Sequence, residues 1–199
     1  MSDPIADAAA AALAGALVVL PTDTVYGIGT RPDDANATAR LFEAKGRPRD
    51  LQLPVLVASR DAAEQLAVFD ERARALVGRF WPGPVSLVLP RTERSRHWDL
   101  GEDAATIAVR VPHHPLTLAV LARTGPLAVT SANRSGGPTP TMCEGLREVF
   151  GDSVEVYVCQ GAPLEGSAST VVDLTGAGLR ILRAGSVTEA DLLAALSMV

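Results

Sequence analysis

Five apolar residues in an unbroken row, Ala16-Leu17-Val18-Val19-Leu20, run straight into Pro21-Thr22-Asp23-Thr24, and no other stretch constrains the fold as much. The run is too short for a buried helix. A strand with one wet face would alternate apolar and polar residues, so this one reads as a strand covered on both faces. Further strands are predicted at 53–58, 85–89, 106–111, 127–130 and 154–158, with a strand pair at 169–174 and 179–183 joined by Gly176-Ala177-Gly178. Between them lie stretches with helical spacing. The first runs over 4–13, with Ser2 or Asp3 as its cap, Pro4 in its first turn and Gly15 after it. The others are 34–44, 61–69, 71–80, 114–123, 141–150 and a last helix from a Thr188 cap to Met198. Residues 91–103 read as a loop or an exposed excursion. Strands and helices alternate without strict βαβ order, which predicts an α/β layer fold on a mixed sheet. No repeat and no long linker divides the chain, so residues 1–199 are expected to form one domain.

Composition removes several function classes. With 47% hydrophobic and 21% charged residues there is ample material for a core. Aromatics at 4% and a net charge of -5 argue against a surface built to stack bases or to attract nucleic acid globally. No segment approaches the ~18 apolar residues of a membrane span. The alanine-rich start lacks a basic leader region and carries Asp3 and Asp7, so it does not read as a signal peptide, and a cytoplasmic location is expected. Cys143 and Cys159 have no CxxC spacing and are expected to be isolated thiols rather than a zinc site or a disulfide.

Of 18 basic side chains only Lys45 is a lysine, and it sits in Lys45-Gly46-Arg47-Pro48. Lysine is a compact point charge where arginine is a rigid fork, and two cations one residue apart can grip a polyphosphate from two sides. The same cations also suit the end of a helix. Arg40 and Arg49 extend this basic patch. Two hydroxyls in Pro21-Thr22-Asp23-Thr24 can bond a ligand or simply close their own turn. Thr130-Ser131-Ala132-Asn133, leaving a buried strand for the glycine-rich Ser135-Gly136-Gly137-Pro138, offers a cradle for oxygen atoms. Arg110, inside an apolar strand, needs an anionic partner: a substrate carboxylate or a structural acid. Arg183 poses the same choice. His97, His113 and His114 have no ligand spacing, and neither a Walker motif, a GxGxxG nor a catalytic triad is present. An enzyme of this kind would work by positioning and electrostatics.

Taken together, Pro21-Thr22-Asp23-Thr24-Val25-Tyr26-Gly27-Ile28-Gly29, Lys45-Gly46-Arg47-Pro48, Trp81-Pro82-Gly83-Pro84, Val109-Arg110-Val111-Pro112, Thr130-Ser131-Ala132-Asn133, Ser169-Thr170-Val171-Val172-Asp173 and Leu182-Arg183 resemble, in order, the YrdC/Sua5 family of threonylcarbamoyl-adenylate synthases. The resemblance covers about residues 12 to 187. It implies a YrdC-like (RibB-like) twisted mixed β-sheet flanked by helices. The implied reaction joins L-threonine, bicarbonate and ATP into threonylcarbamoyl-AMP and pyrophosphate, with Mg²⁺ as cofactor and no evident protein ligand for the metal. A tRNA threonylcarbamoyl transferase complex would then use the product on adenosine 37 of tRNAs that read ANN codons. The family's K-x-R and S-x-N tetrad corresponds to Lys45, Arg47, Ser131 and Asn133. The resemblance places these around ATP with Thr106 and Arg183, and places Thr24, Arg110, Thr130 and Ser169 near threonine, with Thr22 a further candidate. Leu56 stands where many relatives carry histidine, and Ser86 where many carry threonine.

Two other readings remain at this level: a non-catalytic RNA-binding module using the Arg40, Lys45, Arg47 and Arg49 patch, and a divergent paralogue with another small substrate. The synthase reading predicts that Lys45→Ala and Arg47→Ala each abolish adenylate formation and leave the fold intact.

Overall fold

In a computed structural model, residues 3–197 are described. Ser2 and Met198, named above at the two chain ends, lie outside the described residues. Helix α1 (Pro4–Leu13) starts at Asp3, whose carboxylate accepts the Ile5 N–H. The strands β1 (Val18–Leu20), β2 (Gly27–Thr30), β3 (Val55–Leu56), β4 (Val85–Pro90), β5 (Thr106–Arg110), β6 (Leu127–Ser131), β7 (Val156–Tyr157), β8 (Thr170–Asp173) and β9 (Arg180–Arg183) form one sheet in the order β7-β1-β2-β6-β3-β5-β4-β8-β9. Pairing is mixed. β1 runs parallel to β7, β3 to β5 and β4 to β8; the other five neighbouring pairs are antiparallel. The other helices are α2 (Ala35–Lys45), α3 (Arg60–Glu64), α4 (Glu71–Phe80), α5 (Pro115–Thr124), α6 (Cys143–Phe150) and α7 (Glu189–Leu196).

The apolar run that led the sequence reading is buried on both faces, as it required. Val18 and Leu20 pack with Ala8 and Ala12 of α1 and Val120 and Leu121 of α5. Leu17 and Val19 point the other way, into a larger cluster with Leu41, Phe42, Leu76, Leu146 and Leu192 from the remaining helices. Burying a side chain of this size contributes about 1.5–3 kcal/mol, so the alternation of β1 ties both helical layers to one strand. At the far end α7 begins with a capping box, in which the Thr188 side chain accepts the Asp191 N–H and Asp191 accepts the Thr188 N–H.

Four expectations change. The predicted strand over 53–58 is regular only at Val55–Leu56, because Pro54 has no N–H to give a ladder. The predicted helix over 61–69 stops at Glu64, and Val68 instead donates to the Pro90 carbonyl beside β4. Lys45 is the last residue of α2 rather than part of a loop. Gly46, at φ 59, ends that helix with no atom within 4 Å of a would-be side chain, so it serves a left-handed turn and not a close approach. Finally, Cys143 and Cys159 are joined in a disulfide, Cα–Cα 6.0 Å apart, where isolated thiols were expected. Sequence spacing alone does not reveal that the N-terminus of α6 lies against the segment after β7. Closing a loop of sequence separation 16 stabilises by about 3 kcal/mol. Reduction of the bond is therefore expected to lower Tm by about 6–12 °C, which a melting curve with and without dithiothreitol measures; an unchanged Tm would remove the bond from the stability account.

Candidate active site

One cavity crosses the sheet rather than sitting only at strand ends. Gly27 of β2, Val129, Thr130 and Ser131 of β6, Pro54 and Leu56 at β3, Arg110 of β5, Ser86 of β4, Ser169 before β8 and Arg183 of β9 supply its wall from seven neighbouring strands. Thr22, Thr24, Val25 and Tyr26 close one side, and Arg47, just past α2, another.

At the Thr24 side the centre is Arg110, buried at 5% exposure. Its Nε donates to the Gly83 carbonyl at 2.9 Å, Nη1 to Thr24 Oγ1 at 3.1 Å and Nη2 to Asp23 Oδ1 at 2.5 Å. The Pro-Gly-Pro turn at 82–84 thus supplies a backbone acceptor for the guanidinium; its Trp81–Pro82 peptide is cis. Of the two partners the sequence allowed for Arg110, a structural acid is present. Burial pulls its pKa below the usual arginine value, and the Asp23 charge opposes that shift. Thr22 does close its own turn: its oxygen accepts the N–H groups of Thr24 and Val25, and its hydroxyl donates to the Val25 carbonyl at 2.6 Å. Thr24 sits 2.9 Å from it. Thr130 lines the cavity with no side-chain hydrogen bond among the described residues.

At the other side two guanidiniums face the cavity without an ion-pair partner. Arg47 donates to the carbonyls of Leu51 and Gln52. Arg183 donates to the Ser169 carbonyl at 3.0 Å and to Ser169 Oγ at 2.9 Å, and Ser169 Oγ lies 3.1 Å from Ser86 Oγ. Burial lowers the pKa of both arginines, and the charge of Arg183 lowers that of Arg47 further while Asp50 opposes the shift. Since arginine stays protonated, the consequence is a net positive field, only partly offset by Asp50 near Arg47, inside a partly dry cleft, a condition that favours binding of an anion.

Lys45 is not in the cavity wall. It is 2% exposed, and Nζ donates to the carbonyls of Ser131 (2.5 Å) and Asn133 (2.6 Å) and to Asn133 Oδ1 (3.2 Å). Burial first, then the Arg47 charge, lowers its pKa to about 8. Ser131 Oγ also donates to Asn133 Oδ1 at 2.6 Å, while Asn133 Nδ2 donates to the carbonyls of Arg134 and Gly137. The tetrad is thus brought together, but Lys45 and Asn133 shape the 131–138 loop, and Arg47 and Ser131 present it to the cavity. Thr106 lies outside the cavity wall, four residues along β5 from Arg110; its hydroxyl meets Asp103, and its carbonyl accepts from Gln52, whose own carbonyl receives Arg47. The Arg40, Lys45, Arg47 and Arg49 patch is dispersed: Arg40 donates to the Gly15 carbonyl, Arg49 pairs with Asp99 over the Phe42 ring, and Lys45 is interior.

Sequence reading missed a strap. Residues 159–169 leave the disulfide, pass the Gln160 N–H to Tyr26 Oη at 3.3 Å and the Leu164 N–H to the Thr141 carbonyl, and deliver Ala168 and Ser169 to the cavity. Tyr26, Pro54, Val129 and Ala168 were likewise not singled out, since apolar and backbone contributions carry no motif. Among the described residues no cluster of three or more His, Cys, Asp or Glu side chains could hold a metal, and no helix is long and apolar enough to cross a membrane.

The Sua5/YciO/YrdC family model, described as telomere recombination, matches residues 10–185. A Mycobacterium tuberculosis protein is 46% identical over 185 residues, 92% of this chain and 85% of its own. The threonylcarbamoyl-AMP synthase of Pyrococcus abyssi is 42% identical over 175 residues, 87% of this chain and 51% of its own, so this chain spans about half of that protein. The crystal structure of P. abyssi Sua5 complexed with L-threonine superposes with a TM-score of 0.88 at 37% identity, covering 98% of this chain and 58% of that one. With its fold and its sequence in agreement, the chain belongs to the Sua5/YciO/YrdC family.

Proposed function

We propose that this chain is an L-threonylcarbamoyladenylate synthase that joins L-threonine, bicarbonate and ATP into threonylcarbamoyl-AMP with release of pyrophosphate. The observation that carries the reading is the division of charge in one cavity: Arg110 is ion-paired with Asp23, whereas Arg47 and Arg183 donate to carbonyl and hydroxyl oxygens and make no ion pair. A zwitterionic amino acid suits the first end, which offers directed N–H donors without net charge. A triphosphate suits the second.

In this reading Arg110 and Thr24 hold the threonine carboxylate, while Thr130 and Ser169 flank its hydroxyl and amino groups. The amino nitrogen bonds the bicarbonate carbon with loss of water, and an oxygen of the resulting carbamate attacks the α-phosphorus as pyrophosphate leaves. Arg47 and Arg183 offset the charge that builds on the phosphates, and Ser131 hydrogen-bonds them from a loop that Lys45 and Asn133 hold rigid. No side chain here is placed to act as a nucleophile, so positioning and electrostatic stabilisation supply the rate. The cavity is lined by hydroxyls and arginines with no carboxylate, which does not fit a resident Mg²⁺; the metal would arrive on the nucleotide phosphates. The product is a mixed anhydride and needs an acceptor, the role of a tRNA threonylcarbamoyl transferase.

Pyrophosphate release from ATP and bicarbonate is the test, comparing L-threonine, L-serine and no amino acid, with the adenylate identified by mass. Threonine- and bicarbonate-dependent release is expected. ATP binding without it would indicate another acceptor substrate, and RNA binding without ATP turnover a non-catalytic module. Arg47→Ala and Arg183→Ala should each lower kcat/KM for ATP by about 10²–10³, the cost of removing one preorganised charge-stabilising donor.

A further inference from the structure

We propose that Asp23 is the positioning residue for amino-acid recognition: it fixes the Arg110 guanidinium so that the two N–H groups left over form a fork aimed at a substrate carboxylate. This deepens, and rests on, the synthase reading above.

An arginine carries five N–H donors. Three of those on Arg110 are used, one by each nitrogen, on Gly83, Thr24 and Asp23, which leaves two. Because all three nitrogens are anchored on the protein, the plane of the guanidinium cannot turn, and Arg110 lines the cavity. Gly83 and Thr24 supply neutral acceptors. Asp23 supplies the charge-assisted bond, the shortest and strongest of the three. Its Oδ1 also accepts the His113 N–H at 2.9 Å, so the carboxylate is itself locked to the chain just after β5. The two side chains are 13% and 6% exposed.

Such a pair is not explained by stability, because a buried ion pair loses about as much in desolvation as it gains, and an apolar pair of similar volume often does as well. Asp23 lies behind Arg110, outside the cavity wall, and its Oδ2 is buried without a hydrogen-bond partner. The structure thus leaves one carboxylate oxygen unsatisfied in order to keep the other on Arg110. That arrangement makes sense if the direction of the guanidinium is what matters. It also offsets the Arg110 charge, so the triphosphate is drawn less strongly to the amino-acid subsite.

Steady-state pyrophosphate release by the full chain tests this in Asp23→Asn, Arg110→Lys and the double variant. Asp23→Asn is expected to raise KM for threonine at least about tenfold, as loss of a charge-assisted hydrogen bond would, with KM for ATP within about twofold. In the Arg110→Lys background, where the fork is already gone, the same substitution should add less than about twofold, since two residues acting through one contact are not additive. Equal losses for both substrates, or additive ones, would mean a merely structural role and overturn the proposal. Should Asp23→Asn fail to fold, Asp23→Glu keeps the charge and displaces it; the same selective rise is expected, and a folded Asp23→Glu protein with wild-type KM for threonine overturns it. If neither variant folds, the pair is a folding element and the assignment falls. A wild-type chain without threonine-dependent release would sink the synthase reading itself, whereas an active wild type with an unaffected Asp23→Asn sinks only this one.

Discussion

Lys45→Ala is expected to cost the protein about 3–5 kcal/mol of stability as well as its activity, contrary to the sequence-based expectation of an intact fold. The substitution removes one donor from each of three acceptors, the carbonyls of Ser131 and Asn133 and the Asn133 side-chain oxygen. The Ser131 carbonyl keeps the Asn133 N–H and Asn133 Oδ1 keeps the Ser131 hydroxyl, so the Asn133 carbonyl is the one left unpaired. One buried acceptor left unpaired costs about 1–3 kcal/mol, and the cavity left by a lysine stem that is 2% exposed adds about as much again. Tm should fall by roughly 10 °C or more, and ATP binding should weaken because the 131–138 loop no longer has a fixed shape. Lys45→Arg discriminates further. A planar fork cannot direct three N–H groups from one nitrogen onto three converging oxygens in a site that is 2% exposed, so it should be nearly as damaging. That requirement gives a structural reason for the single lysine among 18 basic residues. A Lys45→Arg protein with wild-type Tm and ATP affinity would disprove the cage. The lowered pKa adds a sign: the folded state releases this proton near pH 8, before the unfolded chain does near 10.5, so the unfolded state holds more protons in that window and this group's contribution makes stability rise with pH there.

How much of this was legible beforehand depends on the kind of signal involved. The two-sided burial of β1 was, because burial on both faces leaves an unbroken apolar run, and α4 matched the predicted 71–80 because its apolar spacing and Asp70 cap agree. The mixed sheet followed from irregular alternation of elements. The strand order did not: placing β6 between β2 and β3, and β8 beside β4, rests on long-range pairing that no local pattern encodes. At the site, the charged members Arg47, Arg110 and Arg183 stood out because a charge in an apolar strand or a cation-rich turn demands a partner. What each charge met was hidden. Arg110 found Asp23 from 87 positions away, and Lys45 found carbonyls 86 and 88 positions on. Backbone acceptors have no sequence identity at all, so a lysine that serves them is indistinguishable, in sequence, from one that serves a ligand. The disulfide and the strap it anchors were missed for the same reason.

Gly166→Ala is expected to reduce kcat/KM by about a hundredfold through that strap. A side-chain carbon at Gly166 would lie 1.8 Å from the Thr24 carbonyl oxygen and 2.7 Å from its carbon. Both are backbone atoms, in the turn that Thr22 closes on itself, so neither side can yield without moving the loop. The strap must then rise by more than about 1 Å, a displacement that in a preorganised site is worth about 10² in rate. Ala168 and Ser169 move with it, which loosens the Ser169–Arg183 and Ser169–Ser86 bonds and lets the Arg183 guanidinium swing out of the cavity. Stability should fall by only about 1–3 kcal/mol, the usual cost of overpacking, so a folded but poorly active protein is the expected result. Gly176→Ala provides the control, because nothing lies within 4 Å of its added carbon and its backbone is not in the left-handed region. It should keep both Tm and turnover. Wild-type kinetics in Gly166→Ala would show that the strap can ride clear of Thr24 without disturbing catalysis, and Ser169 would then have to be removed from the wall that holds the substrate.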